Sequence, residues 1–143
     1  MTDKLGPAIP PGGVWRMTVW GKRKDGLSKE EFSRRFAQHG RLAGPLLVKY
    51  NGISYLQHHL TDNYINEVNK ELGPQHPLPF PIADVDGITT LTFPTAKDLA
   101  AFIVDAGQDE ALNADAAECV DKTTIQLSLG DELAVVKDGK FLL

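Results

Sequence analysis

Two residue periods follow one another in the first third of this chain, and together they leave few folds open. Trp15, Met17 and Val19 alternate with Arg16, Thr18 and Trp20, the period of two that marks a half-buried strand. After the basic turn from Lys22 to Leu27, Ser28 and Glu31 form a capping box. Phe32, Phe36, His39, Ala43 and Leu46 or Leu47 then recur at helical spacing. The pattern predicts a strand over about 14–22 and a helix from Ser28 towards Tyr50. Gly40 and Gly44 weaken that helix, and at Pro45 either it kinks or a second short helix begins. Asn51-Gly52 ends the segment, and a second strand covers Ile53 to Leu60.

The rest of the chain repeats the alternation of periods. The polar stretch 61–83 holds one or two helical turns within Tyr64 to Leu72. Gly73 to Pro81 follows, too rich in proline for regular structure. A loop of this length in a compact domain is usually functional or mobile, and we read it as a flap over the space between helix and sheet. Val85 to Phe93 reads as a third strand, and Thr95 caps a helix with Leu99, Phe102 and Ile103 on its apolar face. A further short helix spans Asp109 to Val120, and Thr123 to Leu129 alternates as a fourth strand. Asp138-Gly139 is a two-residue hairpin signal within 131–143. Residues 1–13 form an extended lead-in, and 14–143 form one domain. The fold class is therefore α+β, a βαββαβ order giving a four-stranded antiparallel sheet with both helices on one face. Trp15 and Trp20, or Tyr55 and Leu56, put apolar side chains in both strand registers. The second sheet face then needs a cover, which another copy of the chain supplies. A homodimer is expected, with the C-terminal hairpin reaching around its partner.

Composition excludes several classes. The formal net charge of −4 comes without a basic patch, which argues against nucleic acid as a partner. No apolar run is long enough for a membrane span, and Met1-Thr-Asp-Lys lacks the apolar core of a signal peptide. One cysteine, Cys119, rules out an internal disulfide and a CxxC pair, and it reads as a small buried side chain. These features predict a soluble, cytoplasmic protein. No HxH, HxxxH, GxGxxG or P-loop pattern is present, so neither a metal nor a bound cofactor is expected.

Chemistry, if there is any, rests on histidine. His39 lies on the helix one turn after Phe36, and His58 and His59 lie on the second strand. If helix and strand pack together, His39 and one of the other two line a common cavity; otherwise His39 is a core histidine bonded to a nearby carbonyl. Adjacent strand residues point to opposite faces, so His58 and His59 are not expected to serve one site. We place His59 in the pocket, because it shares its register with Tyr55 and Gln57, polar groups suited to phenols. An imidazole with a pKa near ~6.5 is a ready acid or base after modest burial. Phe36, Tyr50 and His58 are further lining candidates. Asp84 and Asp86 either cap the third strand's loop or orient a histidine. Lys22, Arg23 and Lys24 read as a solvated turn, the alternative being that one of them contacts an anionic substrate.

The run from Arg16 to Phe32, His39, Tyr55-Leu-Gln-His-His59 and Asp84-Val-Asp86-Gly87 resembles, in order and spacing, the EthD-domain family. A looser match continues around Asp115 and Asp121. The resemblance spans about Val14 to Leu129 and implies a dimeric, ferredoxin-like α+β barrel. Its fungal members are often encoded with aromatic polyketide pathways, and some look like decarboxylases of polyketide carboxylic acids. The resemblance thus implies cofactor-independent decarboxylation of an aromatic polyketide. His39 and His59 would serve as acid and oxyanion partner in either order, with Tyr55 and Gln57 positioning phenolic oxygens. The rivals are a cofactor-free oxygenase of anthrone-like rings, a cyclase or dehydratase, and a non-catalytic binding or stress-associated dimer.

Overall fold

The computed structural model describes residues 5–143; the first four residues of the expected lead-in lie outside them. The elements are β1 (Trp15–Arg23), α1 (Lys29–Lys49), β2 (Ser54–His59), α2 (Asp62–Leu72), β3 (Gly87–Phe93), α3 (Ala96–Gln108), α4 (Glu110–Cys119), β4 (Val120–Asp131), β5 (Val136–Lys137) and β6 (Lys140–Phe141). The large sheet runs β2-β3-β1-β4 with antiparallel neighbours throughout, the ferredoxin-like order.

The register sorts side chains between the two faces. Met17 stands opposite Leu91, and Leu91 opposite Tyr55. Met17, Leu91 and Phe93 pack with Leu47 of α1 and with Leu99 and Phe102 of α3 in one buried cluster. Phe32, Phe36 and Cys119 form a second, beneath the far end of α1. The opposite face carries Trp20, Ile88 and Leu56 among Arg16, Thr18, Thr90 and Ser128, so it is more polar than the expectation of two apolar faces.

The ends of α1 follow the sequence closely. Ser28 Oγ accepts from Glu31 N–H at 3.1 Å while the Glu31 carboxylate accepts from Ser28 N–H. At the other end Asn51 takes a φ of 61°, its N–H donates to Val48 O, and Gly52 N–H donates to Leu47 O. That pair of bonds is a Schellman stop. A Cβ on Gly52 would lie 2.2 Å from Leu47 Cγ, so only glycine fits there.

Three expectations change. Helix α1 does not end at Pro45 and no second helix begins there; the proline lies inside one helix. Ala43 and Leu47 are buried on either side of that proline. A buried leucine contributes about 1.5–3 kcal/mol, enough to offset most of the ~3 kcal/mol that an internal proline costs. The 61–83 stretch is more ordered than a loop with one or two turns, because α2 fills eleven of its residues. The start of α2 is tied to α1 by the Lys29–Asp62 ion pair at 2.6 Å, and Gly73, at φ 79°, ends it. Finally, β4 is longer than Thr123 to Leu129, and its register against β1 shifts between Trp20 and Lys22. The bulge takes up the extra residues that alternation alone would not place.

Candidate functional site

Because β2 is an edge strand, its end is free to form one wall of a cleft. The other walls come from α2 and the irregular segment 78–86, and the open cleft between them has a volume of about 890 Å³. Ile65 and Val68 of α2, Leu78, Ile82 and Ile88 make most of the lining apolar. Gln57, His58, His59, Arg23, Lys29 and Asp86 supply its polar part. An apolar hollow with a few convergent polar groups is the usual form of a small-molecule site.

His59 stands on the helix-facing side of β2, where its ring lies 5.0 Å from that of Phe36. Its Nδ1 is 2.7 Å from Ser33 Oγ and its Nε2 is 3.0 Å from Gln57 Oε1. Gln57 fixes the proton positions. Its amide nitrogen donates to Phe36 O at 2.7 Å and to the Tyr55 hydroxyl at 3.3 Å, so its oxygen faces the imidazole. His59 therefore carries its proton on Nε2 and accepts from Ser33 at Nδ1. Burial, and secondarily the charge of His58, hold its pKa below the usual value of 6.5. Burial likewise raises the Tyr55 phenol, which stays protonated.

The His59 shift fixes a stability trend. Above pH 6.5 the ring is neutral folded or unfolded, and its contribution is fully present. As pH falls below 6.5 the unfolded chain takes up a proton that the folded chain refuses, so stability is lost down to the depressed folded pKa. Urea midpoints measured from pH 7.5 to 5 are expected to fall more steeply in the wild type than in His59→Gln. Parallel slopes would remove His59 as the cause.

Asp86 is buried at the cleft wall, where its carboxylate accepts from Arg23 Nη1 at 2.7 Å and from Arg23 N–H at 2.9 Å. Arg23 Nε also donates to Leu27 O, which locks the basic turn against the base of β3. Lys22 pairs with the exposed Asp84, whose carboxyl is held below its ordinary range by that ammonium.

The structure gathers some of the candidate residues and separates others. His59, Gln57, His58 and Asp86 line the cleft, with Tyr55 behind Gln57 and Phe36 behind His59. His58 and His59 do face opposite sides of β2. Both still border one cavity, contrary to expectation, because the cleft wraps the end of an edge strand. His39 does not share it: its Nδ1 bonds Asp115 Oδ2 at 2.7 Å and ties α1 to α4. Tyr50 is also elsewhere, donating to Asp105 at 2.6 Å beside the main core cluster. Cys119 is buried, and its thiol is raised by that burial. Sequence reasoning missed Ser33 and Lys29. Ser33 sits one turn before Phe36 on the sheet side of α1, a signal that was available. Among the described residues no group of three or more His, Cys, Asp or Glu side chains is placed to hold a metal ion, and no helix is long and apolar enough to cross a membrane.

A four-stranded antiparallel sheet backed by helices, with a cleft at its edge, defines a ferredoxin-like α+β protein. The EthD domain family matches residues 24–123, and the chain belongs to that family. Among solved structures, the chain is similar to a dimeric protein of unknown function and ferredoxin-like fold from Bacteroides fragilis NCTC 9343. Identity there is 12%, coverage is 86% of this chain and 98% of that one, and the TM-score is 0.51. A protein of Arabidopsis thaliana is similar at 12% identity, with 86% and 99% coverage and a TM-score of 0.53. At these identities the likeness shows the fold alone. No curated protein matches the chain.

Proposed function

We propose that this protein is a cofactor-independent enzyme that removes carbon dioxide from an aromatic polyketide carboxylic acid bound in the cleft, and that it works as a homodimer. The observation that carries the reading is His59, its pKa lowered by burial and its Nε2 bonded to Gln57 Oε1, at the end of a mostly apolar cleft. Apolar walls take a flat ring system and desolvate its carboxylate. When the bond to the carboxylate breaks, its electron pair passes to the neighbouring keto or phenol oxygen as an enolate, and carbon dioxide leaves. The Nε2–H, turned from Gln57 to that oxygen, stabilises the developing charge. Water entering the cleft returns a proton to the ring carbon. Lys29 and Arg23 are already paired with Asp62 and Asp86, so they do not hold the carboxylate in its ground state. His39 takes no part in this scheme. The second subunit lies against the open sheet face, where Leu56 is 62% exposed beside Trp20 and Ile88. A single buried cysteine suits a reducing, cytoplasmic setting.

The test follows carbon dioxide and dissolved oxygen together over a panel of anthrone and anthraquinone carboxylic acids. Carbon dioxide release without oxygen uptake, falling away as acid protonates His59, is the expected result. Oxygen uptake alone would replace this reading with an oxygenase in which His59 is the base. A second reading has its own support: both ring nitrogens of His59 are already bonded, as in a structural histidine. A non-catalytic binding protein would show saturable binding and no turnover with any of the panel.

A further inference from the structure

We infer that the β5–β6 hairpin is an exchanged arm that docks on a second copy of the chain; this rests on the paired assembly proposed above. The arm lies outside residues 24–123, the part shared with the family. Its root is pinned. The Asp131 carboxylate accepts from Gly12 N–H at 2.7 Å and from Val14 N–H at 3.2 Å, and Glu132 N–H donates to Val14 O at 2.9 Å. Beyond that root, the backbone bonds found among the described residues are the arm's own: Val136 pairs with Phe141, Lys137 with Lys140, and Leu142 N–H donates to Val135 O. The turn is well made, with φ of 51° at Asp138 and 75° at Gly139, as a type I′ hairpin requires.

A two-stranded hairpin standing alone is marginal in water, so this one needs a surface to lie on. Its own domain does not supply one. Phe141 is 71% exposed, Val136 61% and Leu142 52%, and none of them joins the two buried clusters. Leu133, Val135 and Leu143 are exposed as well, and Val136 and Phe141 stand opposite one another on one face of the arm. Two-fold exchange settles the occupant. Two arms and the surfaces that they cover bury twice what one arm does, which brings the exchange within the ~1,200–2,000 Å² of a stable interface. The same chain also offers a receiving surface around the edge strand β4, where Leu127 and Leu129, on the helix-facing side away from the open face, are more than half exposed. Lys137 and Lys140 flank the arm's turn on a chain whose net charge is −4, which favours docking on another copy.

The test compares the full chain with a Val136→Asp, Phe141→Asp, Leu142→Asp variant by sedimentation velocity over a range of concentrations. Amide hydrogen exchange of the wild-type arm is measured alongside. The expected result is a wild-type dimer, at least a tenfold weaker dimer in the variant, and arm protection that rises with concentration. A variant that dimerises as tightly as the wild type overturns the arm and leaves the dimer standing. Arm exchange that ignores concentration does the same, and it decides the matter if the variant fails to fold. A wild-type chain that stays monomeric overturns both.

Discussion

Replacing His59 with alanine is expected to lower kcat by about 10²–10³ on any substrate that the protein decarboxylates, with KM changed only a few-fold. That is the range seen when one preorganised donor to a developing oxyanion is removed. The KM is spared because the ring lies at the polar end of a cleft whose lining is mostly apolar. His59→Gln separates donation from titration. Its amide retains an N–H near the position of Nε2 and has no pKa in the working range, so it should recover at least tenfold over alanine and flatten the acid limb of the rate. An alanine variant with wild-type kcat would remove the oxyanion role outright. Steady-state kinetics on both variants, with ligand binding followed separately, makes the comparison.

Gly87→Ala should be the most damaging single methyl in the sheet. A Cβ at that position would lie 2.9 Å from Phe32 Cε1 and 2.9 Å from Phe36 Cε2, and the two rings already stack with centroids 5.4 Å apart. Both rings are buried. Overpacking of this kind costs about 1–3 kcal/mol. For a chain of this length the loss lowers Tm by roughly 3–10 °C. Because Gly87 stands opposite His59 and Phe36 packs on the imidazole, the same substitution should also weaken ligand binding. Thermal unfolding with and without ligand checks both effects. An unchanged Tm would mean that α1 lifts from the sheet without cost.

What the residues disclosed by themselves was local. The Ser28 and Thr95 caps, the Asn51-Gly52 stop and the Asp138-Gly139 turn are each decided within four residues, and all are realised. The strand periods were equally plain, because one sheet face is packed and the other is not. That the helix runs on past Pro45 was not legible locally, because Leu47 is buried against residues of β1, β3 and α3. The length of α2 was missed because the ion pair that anchors its start reaches Lys29, 33 residues away. The candidate site shows the same divide. That His59 shares a face with Tyr55 and Gln57 follows from alternation, and the structure keeps that face. That His39 belongs to Asp115, 76 residues on, and Arg23 to Asp86, 63 residues on, depends on which helix lands beside which. Alternation carries no information about that. Nor does it locate a cleft whose far wall is a proline-rich segment without a period.

Gly40 was read as a flaw in the helix, and the structure gives it a use. A Cβ there would come within 3.3 Å of Gln57 Nε2, on the path by which that amide reaches Phe36 O. The gap lets a strand side chain touch the backbone of α1, and that touch decides which way the Gln57 amide points. The amide in turn decides which nitrogen of His59 holds the proton. The imidazole is thereby a gauge of helix position. The proton on Nε2 thus depends on the contact that Gln57 makes with the α1 backbone.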